Sequence, residues 1–239
     1  MEDCVFKSKV ILLGDGGVGK TKFISRINVD GMVIQKHKRL GIKEYTFPIY
    51  TSIGMIEYNI WDTFGQERFG LLRDAYYLDA SAVILFIDLT NRDSYVHLAR
   101  WIRFVKQLCP DACVIVAATK IDSPNRILPV EKILFHQRHN YPYIEISSST
   151  NYNIAALFEM LTRKLMDDMN IIISKPIKLY PPECDIDQEA MESCERALSL
   201  ARKNSVVVPN NVQQAPRAFG PHFMNDTLEF EEDLIRDLN

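Results

Sequence analysis

The chain has 239 residues, 47% of them hydrophobic and 25% charged, with a formal net charge of −3. That is an ordinary soluble globular composition, long enough for one α/β domain and a tail. No run approaches the roughly 18–20 apolar residues of a membrane-spanning helix, and five cysteines without a Cys-x-x-Cys pair argue against a disulfide framework or a zinc site.

The net charge conceals an asymmetry. From Glu183 onward the chain carries twelve acidic and five basic residues, against nineteen acidic and twenty-three basic before it. A basic body with an acidic tail is compatible with a tail that folds back, with a basic partner, or with a tail that is simply solvated. Neither Met1-Glu2-Asp3-Cys4 nor Arg236-Asp237-Leu238-Asn239 is a lipidation signal, so no membrane anchor is expected.

Near the start, the apolar run Val10-Ile11-Leu12-Leu13 enters Gly14-Asp15-Gly16-Gly17-Val18-Gly19-Lys20-Thr21, and the helix-like Lys22 to Ile27 leaves it. Strand, glycine-rich loop and helix are the context in which GxxxxGK[ST] signifies a phosphate-binding loop. Backbone N–H groups from Asp15 to Gly19 are expected to curl around phosphates. Lys20 is expected to reach the β- and γ-phosphates and Thr21 to ligate Mg2+.

Asn28 to Arg39 shows no clean period and is expected to be a loop, with a basic cluster at Lys36-His37-Lys38-Arg39. Ile42–Tyr50 and Met55–Trp61, separated by Thr51-Ser52-Ile53-Gly54, predict a hairpin. The second strand runs into Asp62-Thr63-Phe64-Gly65-Gln66. After a phosphate loop, this pattern suggests an Asp contacting Mg2+, a Gly N–H sensing the γ-phosphate and a Gln orienting water.

Ala82–Asp88 and Val114–Ala118 predict buried strands, with one amphipathic helix from about Arg92 to Leu108 between them. The second strand leads to Thr119-Lys120-Ile121-Asp122. A carboxylate at Asp122 can accept guanine's N1–H and exocyclic amine hydrogens, which adenine does not present. A helix around Val130–Gln137, a strand at Tyr143–Ile146, the triplet Ser147-Ser148-Ser149 and a helix from Ile154 to about Met166 complete the alternation. The serines could meet the base's O6 through loop backbone groups or form an ordinary turn. The predicted fold is an α/β P-loop NTPase: a doubly wound, mostly parallel six-stranded sheet with one antiparallel edge hairpin, followed by a C-terminal helical extension. Three regions are expected, at 1–170, 171–204 and 205–239. The second holds a helix from Gln188 to about Lys203 and the third an acidic tail.

These four motifs, in this order, resemble the small Ras-like GTPases. Within them the chain is most similar to the Ran branch, the GTPases of nuclear transport. Trp61-Asp62-Thr63, Gly70 to Tyr77, Phe135-His136, Asn151-Tyr152-Asn153 and Tyr180-Pro181-Pro182-Glu183 carry that likeness over roughly residues 9–203.

The resemblance implies GTP/GDP and Mg2+ as cofactors, with Thr21 and Asp62 at the metal and Gln66 as the catalytic residue. Asp15, Gly16, Gly17, Val18, Gly19, Lys20, Thr21, Gly65, Thr119, Lys120, Asp122, Ser147, Ser148 and Ser149 would line the nucleotide. It also implies an exchange factor, a GTPase-activating protein and nuclear transport receptors as partners, a nuclear and cytoplasmic location, a monomer, and no direct nucleic-acid contact.

The chain departs from that pattern at five places. Arg39 stands where the family's first switch has a metal-completing Thr. An arginine cannot ligate a metal, so Mg2+ binding is expected to be weakened. The guanidinium would pair with phosphate oxygens or point to solvent. Phe64 replaces a small residue before Gly65-Gln66, Thr119 replaces an Asn, Ser149 replaces a Lys, and Met32 stands near the place where the Ran branch has an aromatic against the base. The patch His136-Gln137-Arg138-His139 is either a thinned partner surface or a solvated helix end. Two functions follow: a slowly hydrolysing, partner-assisted GTPase switch, or a GTP-binding interaction module that no longer cycles and engages or competes for Ran partners. An ATP-using P-loop kinase is disfavoured by Asp122, which selects guanine, and by the lack of an apparent acceptor-binding insertion.

Overall fold

Val10 to Leu13 are apolar without alternation, and each is at most 1% exposed, which requires cover on both faces of their strand. In the computed structural model, which describes residues 4–37, 42–63, 77–129, 133, 135, 139–185, 187, 189, 192, 195, 196 and 199, they close strand β1 (Cys4–Leu13). The remaining strands are β2 (Val33–His37), β3 (Ile42–Thr51), β4 (Gly54–Asp62), β5 (Ala82–Asp88), β6 (Cys113–Thr119) and β7 (Tyr143–Glu145). They form one seven-stranded sheet in the order β2-β3-β4-β1-β5-β6-β7. Neighbours from β4 to β7 are parallel, while β3 is antiparallel to both β2 and β4.

The two-residue period of a strand divides the core. Ile11, Leu13, Val83, Leu85, Ile87, Val116 and Ala118 face one hydrophobic cluster, and Val10, Leu12, Ala82, Ile84, Phe86, Ile115 and Ala117 face the other. Helices α2 (Arg92–Val96) and α3 (Leu98–Leu108) cover the first with Tyr95, Leu98, Trp101, Ile102 and Val105. Helices α1 (Lys20–Ser25) and α4 (Ile154–Leu165) cover the second with Phe23, Ile24, Ile154, Leu157, Phe158 and Leu161. The spacing of three and four residues in α3 and α4 is what produces a single apolar stripe in each. Phe158 bridges this layer, 5.7 Å from the Phe23 ring and 5.8 Å from that of Phe47.

The α/β class and the edge hairpin agree with the sequence reading, and the sheet has seven strands where six were expected. The added one is β2, inside the stretch expected to be a loop. Its first four residues are exposed, so no face is buried and no hydrophobic alternation marks it in the sequence. Its register with β3, His37 opposite Ile42 back to Val33 opposite Thr46, leaves Pro48 beyond β2, where a missing N–H interrupts no ladder on that side. The expected helix over 92–108 is two helices meeting at His97. The hairpin turn is two residues long: Thr51 Oγ1 accepts from Ile53 N–H at 3.2 Å and donates to the Gly54 carbonyl at 2.7 Å.

After α4 the chain returns across the body, bridging Thr51 with Ile173 and Ile27 with Leu179 in antiparallel fashion. Within the helix expected at 188–203, the described residues Glu189, Glu192, Glu195, Arg196 and Ser199 are helical, and the Tyr152 hydroxyl donates to the Glu195 carboxylate. The helix expected at 130–137 lies largely outside the described residues, although Ile133 and Phe135 are both buried. The tail at 205–239 lies outside them entirely. Among the described residues no helix is long and apolar enough to cross a membrane, and Cys109, Cys113 and Cys184 are free thiols.

Candidate functional site

The strands from β4 to β7 are parallel, so their carboxyl ends share one edge of the sheet, where open α/β folds present ligand sites. Asp62, the glycine-rich loop, Thr119 and the serine triplet all leave the sheet there. Lys43, near the start of β3, pairs with Asp62 in the ladder, so that end of β3 lies at the same edge.

The loop's shape follows from its glycines. Gly14 has φ +135°, and a Cβ there would stand 2.5 Å from the Phe86 carbonyl oxygen, so only glycine lets β1 leave beside β5. Gly19, at φ +100°, is the left-handed N-cap of α1. The buried Lys20 ammonium folds back to donate to the Gly14 carbonyl and, at 3.0 Å, to the Asp15 carbonyl. Phe23 N–H donates to the Gly19 carbonyl at 2.8 Å, which starts the helix.

Thr21 and Asp62, 41 positions apart, are brought together: the Thr21 hydroxyl donates to Asp62 Oδ2 at 2.7 Å. Asp62 is fully buried at the end of β4, and next to it Thr63 Oγ1 donates to the Leu12 carbonyl at 3.1 Å. Burial, reinforced by the Asp62 charge, pushes the Tyr45 hydroxyl up to about 12. A hydroxyl and a buried carboxylate side by side are hard oxygen donors of the kind Mg2+ selects while keeping its remaining waters. The pair therefore fits that ion.

Asp15 is placed differently from what its position in the motif suggests. Its buried carboxylate accepts from Trp101 Nε1 at 3.0 Å and Arg100 Nη2 at 3.5 Å, and lies 2.5 Å from His97 Nδ1. The side chain anchors the loop to α2 and α3, which leaves the Asp15 backbone to face a ligand. The sequence carried no signal of this contact beyond an Asp, a His and a Trp far apart in the chain.

At the end of β6, Thr119 Oγ1 donates to the Val18 carbonyl at 2.7 Å and lies 3.1 Å from the Ile87 carbonyl. Lys120 adopts a left-handed φ of +64°, and its ammonium meets Asp88 Oδ2 at 2.5 Å. Asp122 is exposed in the following turn. The neighbouring loop is fastened to β6 through Ile146 N–H, which donates to the Ala118 carbonyl at 2.7 Å.

Within that loop Ser147 is buried, its N–H donating to the Tyr152 carbonyl at 3.1 Å and its hydroxyl accepting from Thr150 N–H at 3.1 Å. Ser148 is buried, and Ser149 Oγ accepts from Lys22 Nζ at 2.9 Å. Beneath the loop, buried Glu145 takes a two-pronged contact from Arg126, at 3.0 and 2.8 Å, and a hydrogen bond from the Tyr143 hydroxyl at 2.8 Å. Burial foremost, with the Glu145 charge, holds the Tyr143 hydroxyl well above its usual range.

Arg39, Phe64, Gly65, Gln66 and the patch at 136–138 lie outside the described residues. Met32 packs half-buried against the second cluster. Sequence reasoning missed Lys22, Arg26 and Glu183, which join α1, the serine loop and the C-terminal strip. Their contacts span up to 157 positions, and no local motif announces them. Among the described residues no group of three or more His, Cys, Asp or Glu side chains could hold a metal ion, so a metal at this edge would rest on the Thr21–Asp62 pair. Residues 9–167 match the sequence model of the Ras family.

Proposed function

The chain belongs to the Ras family, which makes it a GTP-binding small GTPase, and we propose that it is a divergent guanine-nucleotide switch of the Ran type. The observation that carries this reading is the Thr21–Asp62 contact at 2.7 Å, set beside a phosphate loop whose glycine conformations are already formed. In this reading the N–H groups from Asp15 to Gly19 and the Lys20 ammonium hold the phosphates, and Thr21 and Asp62 hold Mg2+. Once bound, the ion would neutralise charge on the β- and γ-phosphates. Asp122 accepts guanine's N1–H and amine hydrogens, Lys120 lies along the base, Thr119 braces the phosphate loop, and Ser147 to Ser149 close over the base.

Gly65 N–H senses the γ-phosphate and Gln66 orients the attacking water. Water then displaces GDP from the γ-phosphorus, slowly unless a partner supplies an arginine. An exchange factor, an activating protein and nuclear transport receptors are the partners proposed from the Ran likeness, together with a nuclear and cytoplasmic location. The region boundaries at 170 and 204 are proposed on the same ground. Arg39, in place of the metal-completing Thr, favours a second reading in which the protein binds GTP without cycling and engages the same partners.

Single-turnover hydrolysis of preloaded GTP separates the two. Mg2+-dependent turnover that Gln66→Leu abolishes supports the switch. Tight binding without turnover, restored by Arg39→Thr, supports the second reading.

A further inference from the structure

The C-terminal strip returns to the back of the serine loop. Asn28 N–H donates to the Lys178 carbonyl and Tyr180 N–H to the Arg26 carbonyl, both at 2.9 Å. These bonds flank the Ile27–Leu179 bridge and zip the strip to the end of α1. The Arg26 side chain, only 8% exposed, then serves the serine loop and the C-terminal strip at once. Its Nε donates to Asn151 Oδ1 at 3.0 Å, Nη1 to Glu183 Oε1 at 3.2 Å, and Nη2 to the Tyr180 carbonyl at 2.8 Å and to the Pro181 carbonyl.

Glu183 closes the circuit. Its N–H donates to the Ser149 carbonyl at 2.7 Å, and its other carboxylate oxygen meets Lys22 Nζ at 2.8 Å. Lys22 in turn donates to Ser149 Oγ. Asn151 Nδ2 donates to the Tyr180 carbonyl at 2.8 Å, so Asn151 is held by both Arg26 and the strip.

We infer that Arg26 and Glu183 are positioning residues for the nucleotide: they hold the loop from Ser147 to Asn151 shut and thereby set the rate at which guanine nucleotide leaves. This rests on the proposed nucleotide site. Helix α1 begins at Lys20 and Thr21 and is capped at its other end by Arg26, so the phosphate side and the base side are coupled through one short helix. Opening the serine loop outward breaks the Glu183–Ser149, Lys22–Ser149 and Arg26–Asn151 bonds together. A guanidinium cannot shed its charge when its acceptors leave, so the buried Arg26 resists opening. The half-exposed Lys22–Glu183 pair contributes less, being screened by water and salt.

The test is release of fluorescent GDP from the full chain, chased with excess GDP. Arg26→Lys, which keeps the charge and loses the fork, is expected to speed release about tenfold. Glu183→Gln should speed it about threefold, since its main-chain bond to Ser149 survives. The double variant should release no faster than about twice the Arg26→Lys rate, because both act through one junction. Tyr58→Phe, a core change remote from the loop, serves as the stability control and should leave release unchanged.

Single variants that release at the wild-type rate while losing thermal stability overturn the inference. Effects that multiply in the double variant, or a Tyr58→Phe protein that releases as fast as Arg26→Lys, overturn it also. A wild-type chain that takes up no guanine nucleotide defeats the underlying reading instead, and the inference with it.

Discussion

The Thr119 hydroxyl lies 2.7 Å from the Val18 carbonyl oxygen and 3.1 Å from that of Ile87. A single side chain at the end of β6 thus braces the phosphate loop and β5 together. Thr119→Val keeps the shape and removes the donor, leaving the Val18 carbonyl without the hydroxyl that it accepts from. The expected loss is about 1–3 kcal/mol in urea unfolding without nucleotide. A loss confined to nucleotide binding would show that the brace is dispensable to the fold.

Asp15 and Trp101 make a similar long-range tie, at 3.0 Å between buried groups. Trp101→Phe preserves much of the apolar contact and deletes the indole donor to a carboxylate. Thermal denaturation should register a loss of about 2 kcal/mol, in the range of hydrogen bonds to charged groups. Asp15→Asn should then cost less in the Trp101→Phe background than in the wild type, because only the His97 and Arg100 contacts of the carboxylate are left to lose.

The loop glycines are not equivalent. Gly14→Ala forces a side chain into φ +135° and against the Phe86 carbonyl, and should destabilise by about 3 kcal/mol. A Cβ on Gly16 meets nothing within 4 Å, so Gly16→Ala should stay within about 0.5 kcal/mol of wild type. Denaturant unfolding of the two variants without nucleotide separates backbone geometry from ligand binding.

Glu183 supplies a pH signature. The hydrogen bond from Lys22, followed by the charges of Lys22 and Arg26, holds its carboxyl below the ordinary value of 4.5. A depressed carboxylate contributes fully above its ordinary range and loses that contribution as pH falls through the lowered value. The difference in unfolding midpoint between wild type and Glu183→Gln should therefore be present at neutral pH and close as pH drops below 4.5. A difference independent of pH would mean that the charge plays no part.

Legibility in the sequence followed burial and locality. Val10 to Leu13 and Ala82 to Asp88 are unbroken buried runs and Tyr95 to Val105 carry a helical stripe, and these were readable as elements. Val33 to His37 form a strand because β3 offers an edge, and their exposure erases the pattern that would announce it. At the site, the places of Lys20 and Thr21 at the start of α1 and of Asp122 beyond β6 were readable, because fixed spacing ties them to the flanking strands. The direction of the Asp15 carboxylate was not, since Trp101 becomes its partner only once α3 packs on β5. Nor was the return of the 178–183 strip to Arg26, which depends on contacts between residues 154 to 157 positions apart.

The measurement that tests the central claim most directly is equilibrium binding of fluorescent GDP and ADP analogues to the full chain, with Mg2+ and then with EDTA. The account predicts that GDP binds tighter than ADP by about a hundredfold or more, because Asp122 accepts hydrogens from guanine's N1–H and amine and adenine offers it neither. It predicts further that EDTA weakens GDP binding and that Asp122→Asn moves the preference towards XDP. Equal affinity for the two bases, or no binding of either, would contradict it.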